Sequence, residues 1–202
     1  MRTRTLFASL LLLAPFAASA QPEVRGDLDL LLGTTTTPDG GYPFVPAVGA
    51  FVGADFFDLV TPGVRFLGVD GASAPSQGSI RAYSMAAEIR VHSPGDNQFW
   101  MSAGAGRGEL LQLQCNCDVQ TFVSARPGMS LNVALGFRSF AALRGLGGVG
   151  GQIAMTRWSN VSRTVALGPG DGRAPEVVRE GELWAVTVGI TLSGRTSAST
   201  GP

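Results

Sequence analysis

Two short runs of the sequence place charged residues two positions apart. In the first run, Arg25, Asp27 and Asp29 alternate with small or apolar residues, and in the second, Glu88 and Arg90 do the same. A spacing of two puts such residues on one face of a β-strand and their neighbours on the other. If that face lines a narrow barrel, the charges have to pair, because an unpaired buried charge is very costly. Four further arginines could join them: Arg65, Arg107, Arg138 and Arg144.

From these charges we predict a network in the interior of a barrel. Two functions of this network are open. The network could line a polar conduit or a gated ion pathway. Alternatively, paired charges could fill the interior and hold the barrel together. We expect the second arrangement, a plug made of side chains.

Cys115 and Cys117 are the two cysteines of the chain, and a single residue separates them. In an oxidising compartment, two cysteines are expected to form a disulfide. A ring that spans one residue would be tight and more easily reduced. We expect a simple bridge that stiffens the tip of a loop. The alternatives are a strained redox switch, a metal clip, and thiols that stay free or pair with another chain.

The elements that would position these residues follow an N-terminal leader. Arg2 and Arg4 precede an apolar run that ends near Phe16, and Ala18-Ser19-Ala20 follows. This is the pattern of a cleavable signal peptide, so we expect residues 1–20 to be removed on export. The rest suits one barrel domain, residues 21–195, and a polar tail, residues 196–202. With 15 basic and 15 acidic residues, the chain lacks the basic footprint of a nucleic-acid-binding protein.

Eight runs of alternating polarity follow the leader. The clearest is 83–91, and the last is 182–193. Their connectors alternate between short and long, and we expect long loops at three places: 34–46, 70–78 and 159–181. We also expect a tight connection at 134–136 and a seventh strand from Phe137 to about Trp158. Short turns at one end and long loops at the other are typical of outer-membrane barrels. The sequence thus predicts an all-β, eight-stranded, antiparallel, up-and-down transmembrane β-barrel.

This architecture resembles the small eight-stranded outer-membrane β-barrels of Gram-negative bacteria, the OmpA/OmpX-like class, over residues 21–195. In that class the last strand often ends in a pattern that the assembly machinery reads, and residues 187–192 match most of it. Gly194 replaces the final aromatic residue, and a polar tail follows. The resemblance implies an outer-membrane location, contact with outer-membrane lipid and lipopolysaccharide, and handling by the barrel-assembly machinery during biogenesis.

The resemblance also raises the possibility of a lipid-modifying enzyme, which would need a histidine beside a serine near the external rim. His92, the only histidine, is followed by Ser93, but the predicted topology places both at the periplasmic end. We therefore expect His92 to be a neutral surface residue. A single histidine also argues against a histidine-based metal site. The sequence indicates no catalytic residue, cofactor or metal ligand.

We therefore expect a non-enzymatic outer-membrane barrel with a structural or surface-interaction role in its external loops, whose partner the sequence does not identify. The alternative is a secreted soluble β-barrel or sandwich that binds a small apolar ligand, with apolar residues inside and charges outside. Two sets of residues favour the membrane protein. Small residues suit a narrow interior, and aromatic residues near strand ends suit an interfacial girdle. The sets are Ala86, Ser102, Gly104 and Gly106, and Phe99, Trp100 and Trp184.

Overall fold

The computed structural model describes seven stretches of the chain: residues 23–37, 40–72, 79–116, 119–125, 128–143, 147–166 and 177–196. The predicted signal peptide and residues 197–202 of the predicted tail lie outside them. Within the described stretches, no helix is long and apolar enough to cross a membrane.

The described residues form nine strand segments in antiparallel order. The segments are β1 (Glu23–Thr37), β2 (Gly40–Asp55), β3 (Val60–Ala72), β4 (Ser79–His92), β5 (Asn97–Asn116), β6 (Val119–Ala125), β7 (Gly128–Leu143), β8 (Gly147–Ala166) and β9 (Val177–Arg195). Both β6 and β7 lie between β5 and β8, so together they make the sixth strand of the barrel. Because β9 also pairs with β1, the sheet closes into eight strands. The predicted fold is confirmed.

The register of the pairs shows how the barrel closes. Thr36 of β1 pairs with Trp184 of β9, and the aligned residues lead around the barrel back to Gly26 of β1. After one full turn of the barrel, the paired positions have thus shifted by ten residues along β1. A stagger of this kind means that the strands tilt, by about 35–45° in typical barrels. We call the end with the connectors 56–59 and 93–96 the turn end, and the opposite end the loop end.

Side chains alternate between the interior and the outer surface along the strands wherever the structure describes those side chains. On β4, for example, Met85, Ile89 and Val91 are exposed, whereas Glu88 and Arg90 are buried. The same alternation gives the barrel an exposed apolar belt, which includes Leu28, Leu30, Val48, Val52, Phe66, Met101, Val133, Leu135, Ile153, Val188 and Ile190. An apolar surface of this extent is suited to lipid, since exposing it to water would be unfavourable.

The interior has two halves of different chemistry. Its half near the turn end holds the buried charges. Its half near the loop end holds an apolar cluster made of Leu31, Val45, Ala47, Leu67, Val69, Ala82, Trp158, Leu183 and Ala185. In this cluster Trp158 is fully buried, and its indole Nε1 donates a hydrogen bond to the carbonyl oxygen of Tyr83 (3.0 Å). The indole is thus both packed and hydrogen-bonded.

Several predicted strand boundaries are wrong. The predicted seventh strand, from Phe137 to about Trp158, covers the end of β7, which stops at Leu143, and the first part of β8, which begins at Gly147. The predicted loop 34–46 is mostly strand, because β1 continues to Thr37 and β2 begins at Gly40. The predicted connection at 134–136 lies inside β7, where Ala134 is buried and Leu135 is exposed. Small residues there suggested a turn, but they keep the period-two alternation of a strand. The predicted loop 159–181 is shorter as well, since β8 runs to Ala166 and β9 begins at Val177.

Gly136 lies in the middle of β7 because an indole occupies the space where a side chain would stand. A Cβ atom at Gly136 would lie 2.4 Å from two ring carbons of Trp100. Trp100 is 3% exposed, so it has little room to move. Glycine therefore serves here to admit a large neighbour, as it often does where strands and side chains approach closely.

We predict that Gly136→Val destabilises the folded barrel by about 1–3 kcal/mol, because it overpacks the site against Trp100. Urea unfolding of the barrel in lipid vesicles, followed by tryptophan fluorescence, measures the change. Gly26→Val is the matched control, since a Cβ atom there lies 3.8 Å from its nearest contact. In a Trp100→Ala background, the cost of Gly136→Val should largely disappear. An equal cost in that background would show that Trp100 is not the cause.

Candidate functional site

A cluster of eight charged side chains lies inside the barrel. It contains four arginines, Arg25, Arg65, Arg90 and Arg138, and four carboxylates, Asp27, Asp29, Asp55 and Glu88. All eight are at most 5% exposed. They come from β1, β2, β3, β4 and β7, each at an inward position of its strand. We call these eight residues the interior charge cluster.

Arg90 is at the centre of the cluster. Its Nε donates a hydrogen bond to Glu88 Oε1 (2.7 Å), and its Nη1 donates to Asp27. Its guanidinium carbon lies 3.7 Å from the centroid of the Phe51 ring and 4.6 Å from that of Trp100. A desolvated guanidinium gains from such contact with aromatic faces. Arg90 is therefore held by two anions and two rings at once.

A second set of contacts extends from Arg90 toward the turn end. Arg138 Nη1 lies 3.3 Å from Asp27 Oδ2, so Asp27 pairs with two arginines. Gln98 Oε1 accepts hydrogen bonds from Arg138 Nε (2.8 Å) and from Arg25 Nη1 (2.8 Å). Arg25 in turn contacts Asp55. The amide oxygen of Gln98 thus bridges two guanidinium groups of like charge.

A third set of contacts extends toward the loop end. Arg65 Nη2 lies 3.2 Å from Asp29 Oδ2, and its Nη1 lies 3.7 Å from Glu88 Oε2. Thr191 donates a hydrogen bond to Asp29 Oδ1 (2.9 Å), and Asn132 donates one to Glu88 Oε2. Each buried carboxylate therefore has an arginine partner, and two of them also have a neutral donor. This is what makes a buried charge tolerable.

Asp58 connects the interior charge cluster to the turn end. Its Oδ1 accepts hydrogen bonds from Arg25 Nη2 (2.7 Å) and Gln98 Nε2 (3.0 Å), and its Oδ2 accepts one from the Gly95 amide (2.7 Å). Burial tends to raise the pKa of Asp58, but the Gly95 amide and Arg25 outweigh it and hold the pKa below the ordinary value. Phe57 and Asp58 both have positive φ, 61° and 52°. These contacts thus hold a turn that non-glycine residues rarely adopt.

His92 is buried, so the expectation of a surface histidine is wrong. Its Nε2 lies 3.2 Å from Thr61 Oγ1 and 3.4 Å from Asp55 Oδ1, and its Nδ1 lies 3.3 Å from the carbonyl oxygen of Ser93. The hydroxyl and the carboxylate share one ring nitrogen. A histidine that activates a nucleophile uses opposite nitrogens for these two partners, so the geometry is not that of a catalytic triad.

The side chains of Asp55, Asp58 and His92 lie close enough together to suggest a metal site. However, the positive charge between the two carboxylates is already supplied by Arg25, whose Nη2 contacts both Asp55 and Asp58. A divalent cation would have to displace that guanidinium. We therefore interpret this group as part of the ionic interior and not as a metal centre.

The remaining predicted residues divide into three groups. Arg25, Asp27, Asp29, Glu88 and Arg90 lie together in the interior, with Arg65 and Arg138 among them. Arg107 is exposed on the outer surface, so its predicted inward position is wrong, as is the predicted girdle position of Trp100, which is buried. Arg144 and Cys117 lie outside the described residues, and the side chain of Cys115 is not described either.

Sequence reasoning missed several polar residues of the site, among them Asp55, Asp58 and Gln98. Asp55 and Gln98 stand two residues from inward positions of the same strands, Gly53 and Trp100, so extending the alternation by one step would have found both. Asp58 lies in a turn, where no periodicity applies. Its role depends on a contact with Arg25, which is 33 residues away in the chain.

The fold is similar to those of solved outer-membrane barrels. Neisserial surface protein A (NspA) matches with a TM-score of 0.57 and 13% identity, over 87% of this chain and 97% of that chain. Ail, the attachment invasion locus protein of Yersinia pestis, matches with a TM-score of 0.51 and 10% identity, over 86% and 99%. The outer membrane protease OmpT from Escherichia coli matches with a TM-score of 0.50 and 8% identity, over 88% and 99%. No family model and no curated protein matches the sequence.

At these identities the similarity establishes the fold alone. The chain has the fold of the outer-membrane β-barrels, in the form with eight strands. The exposed apolar belt and the buried charges agree with that fold, because its outer surface contacts lipid and its interior is polar.

We predict that Arg90→Met destabilises the barrel by about 3–5 kcal/mol, because it leaves Asp27 and Glu88 buried with fewer partners. Urea unfolding in lipid vesicles measures the loss. The matched control is Arg81→Met, since Arg81 and Asp70 form a pair in which both side chains are more than half exposed. That change should cost less than about 1 kcal/mol. Similar costs for the two variants would refute the interpretation that pairing in the interior stabilises the barrel.

Proposed function

We propose that the protein is a non-enzymatic barrel of the outer membrane, with a structural or surface-interaction role carried by its external loops and an interior closed by side chains. The observation that carries this proposal is the reversed polarity of the barrel. Charged side chains such as Glu88 and Arg90 are buried, whereas Ile89 and Val91 between and beside them are exposed. A secreted soluble barrel that binds an apolar ligand would need the opposite arrangement.

The contacts within the interior support a closed lumen. The interior charge cluster joins five strands, and Arg90 fills the space between Phe51 and Trp100. Toward the loop end, Trp158 and its apolar neighbours occupy the same interior. A continuous water path would have to separate ion pairs and then pass an apolar cluster. In barrels of eight strands, side chains generally suffice to fill the interior.

The lengths of the strands support a role for the loop end. A tilted strand needs about 9–11 residues to cross a bilayer. In contrast, β5 and β8 each have 20 residues and β9 has 19. The excess would carry the connectors at the loop end beyond the lipid. NspA is described as a surface protein and Ail as an attachment invasion locus protein. For this chain, an interaction at the cell surface is our inference.

The proposal includes a route to the membrane. Residues 1–20 would direct export and be removed, residues 21–195 would form the barrel, and residues 196–202 would remain as a polar tail. The barrel-assembly machinery would recognise the last strand, where residues 187–192 carry the matching pattern. Outer-membrane lipid and lipopolysaccharide would surround the apolar belt. No cofactor is part of this proposal. A loop-tip disulfide between Cys115 and Cys117 would suit the oxidising compartment.

Fractionation of a Gram-negative host that expresses the full-length chain tests the location. We expect the protein in the outer-membrane fraction, with a mobility on gels that changes when the sample is boiled, because a closed barrel resists detergent until heated. The same host expressing a known periplasmic protein controls for the separation of fractions. Recovery as a soluble protein with unchanged mobility would overturn the proposal and favour the secreted alternative.

Conductance across planar bilayers tests the closed interior. We expect no steady current steps from the wild-type barrel. The double variant Arg90→Ala, Trp100→Ala should show discrete steps, since both side chains fill the interior. Phe99→Ala is the control, because Phe99 is 70% exposed on the outer surface and its loss leaves the interior unchanged. Steady steps from the wild type would refute the plug and favour a polar conduit.

A further inference from the structure

The wall of the barrel formed by β4, β5, β7 and β8 has a groove on its outer surface. The groove has a volume of about 650 Å³, and its lining is almost entirely apolar. Volumes of about 300–1,000 Å³ are typical of ligand-binding sites. Ala103 lies in the groove on β5, with Val133 of β7 and Met155 of β8 in line with it across the strands. The groove therefore belongs to the apolar belt, which contacts lipid under the proposed function.

Among the side chains that the structure describes, three arginines lie at outward positions of the strands: Arg81, Arg107 and Arg157. Arg81 forms an ion pair with Asp70 (3.1 Å), and Arg157 forms one with Glu182. Arg107 forms no ion pair or hydrogen bond with any residue of the described stretches. Of these three cations, Arg107 is thus the one whose charge has no partner in the protein.

The neighbours of Arg107 are apolar on the side of the groove. Across the strand pairs it lies beside Met85 and Met129, which are both exposed. Toward the groove, the next outward residue of β5 is Ala105. Glu109 is the next outward residue in the opposite direction, toward the loop end, and it makes no ion pair with Arg107. Arg107 is therefore an unpaired cation at the margin of the apolar belt, with its acidic neighbour on the side away from the lipid.

The separation between Arg107 and the groove corresponds to the length of a lipid chain. Arg107 is four residues from Ala103 along β5, which is about 13 Å at about 3.3 Å per residue. The hydrocarbon core of a bilayer is about 30 Å thick, so one leaflet contributes about 15 Å. An acyl chain whose headgroup lies at Arg107 would therefore reach the groove within its own leaflet.

We propose that this wall binds a lipid of the outer leaflet whose headgroup carries a phosphate. The phosphate accepts hydrogen bonds from the guanidinium of Arg107, and an acyl chain lies in the groove. Arginine suits this role because its planar set of donors matches the oxygens of a phosphate. A second copy of the barrel could cover the groove but would leave Arg107 without an anion. The inference rests on the proposed function, since it requires the apolar belt to lie in lipid and the loop end to face outward.

Native mass spectrometry of the refolded barrel in detergent micelles tests the proposal. The probe is phosphatidylglycerol, and diacylglycerol with the same acyl chains is its uncharged counterpart, which we expect to bind more weakly. Arg107→Gln should lower the affinity for phosphatidylglycerol by about tenfold, because it removes a charge-assisted contact. Arg81→Gln is the matched control, since Arg81 is also exposed but already paired with Asp70. An unchanged affinity in Arg107→Gln, or an equal loss in both variants, would overturn the proposal.

A second pair of variants tests the groove in the same assay. Ala103→Phe fills the groove and should weaken the binding of phosphatidylglycerol. Val52→Phe adds a ring to the apolar belt on β2, away from the groove, and should leave the binding unchanged. Normal binding by Ala103→Phe would overturn the proposal. Complete displacement of the lipid by inorganic phosphate would overturn it as well, because the groove would then contribute nothing.

Failure of this proposal is distinguishable from failure of the proposed function. The four variants change outward residues only, so each should be recovered in the outer-membrane fraction with a mobility that changes on boiling. Normal recovery of the wild type without binding of phosphatidylglycerol would overturn the lipid site alone. Recovery of the wild type as a soluble protein would overturn the proposed function, and the lipid site with it.

Discussion

The pairing of charges inside a narrow barrel is the constraint on which the rest of this structure depends. Four guanidinium groups and four carboxylates leave water together, and each has to find a partner within the diameter of an eight-stranded barrel. This requirement fixes which residues face inward, because a shift of one residue in the register of β1 would turn Asp27 and Asp29 toward lipid. It also explains the presence of Gln98, Asn132 and Thr191, each of which forms a hydrogen bond with a member of the ion pairs.

The two halves of the interior are filled by different kinds of side chain. Near the turn end, arginines provide both charge and bulk, and their flat guanidinium groups lie against Phe51, Trp100 and Phe140. Near the loop end, Trp158 and aliphatic side chains pack without charges. Glycines on other strands then become necessary. Gly136 admits Trp100, and a Cβ atom at Gly108 would lie 2.2 Å from the indole of Trp158. Each of these two indole rings occupies the space that a side chain at the facing glycine would need.

The sequence predicted the strands well where polarity alternates without interruption, as on β4, because one face needs lipid and the other needs partners. It predicted the strands poorly where small residues reduce the difference in polarity between the two faces, as at Ala134 and Gly136. The same holds where threonines suit both strands and loops, as at 34–37. Arg107 shows a different kind of error. It is one residue out of step with Ser102 and Gly104, so the same alternation places it outside. His92 continues the alternation of Glu88 and Arg90, so extending it by one step would have placed the ring in the interior. The role of Asp58 depends on its contact with Arg25, which is 33 residues away in the chain, and a single sequence does not reveal this contact.

The pairing of β1 with β9 has a consequence for how the molecule forms. Leu28 stands opposite Leu192, so the contact that closes the sheet joins the two ends of the domain. Because these contacts join residues that are far apart in the sequence, their formation has a large entropic cost before they contribute any stability. Until the last strand is in place, β1 has an open edge, and Thr191 cannot reach Asp29. Assembly of this barrel should therefore be strongly cooperative, with completion of the ion pairs and closure of the sheet as one event.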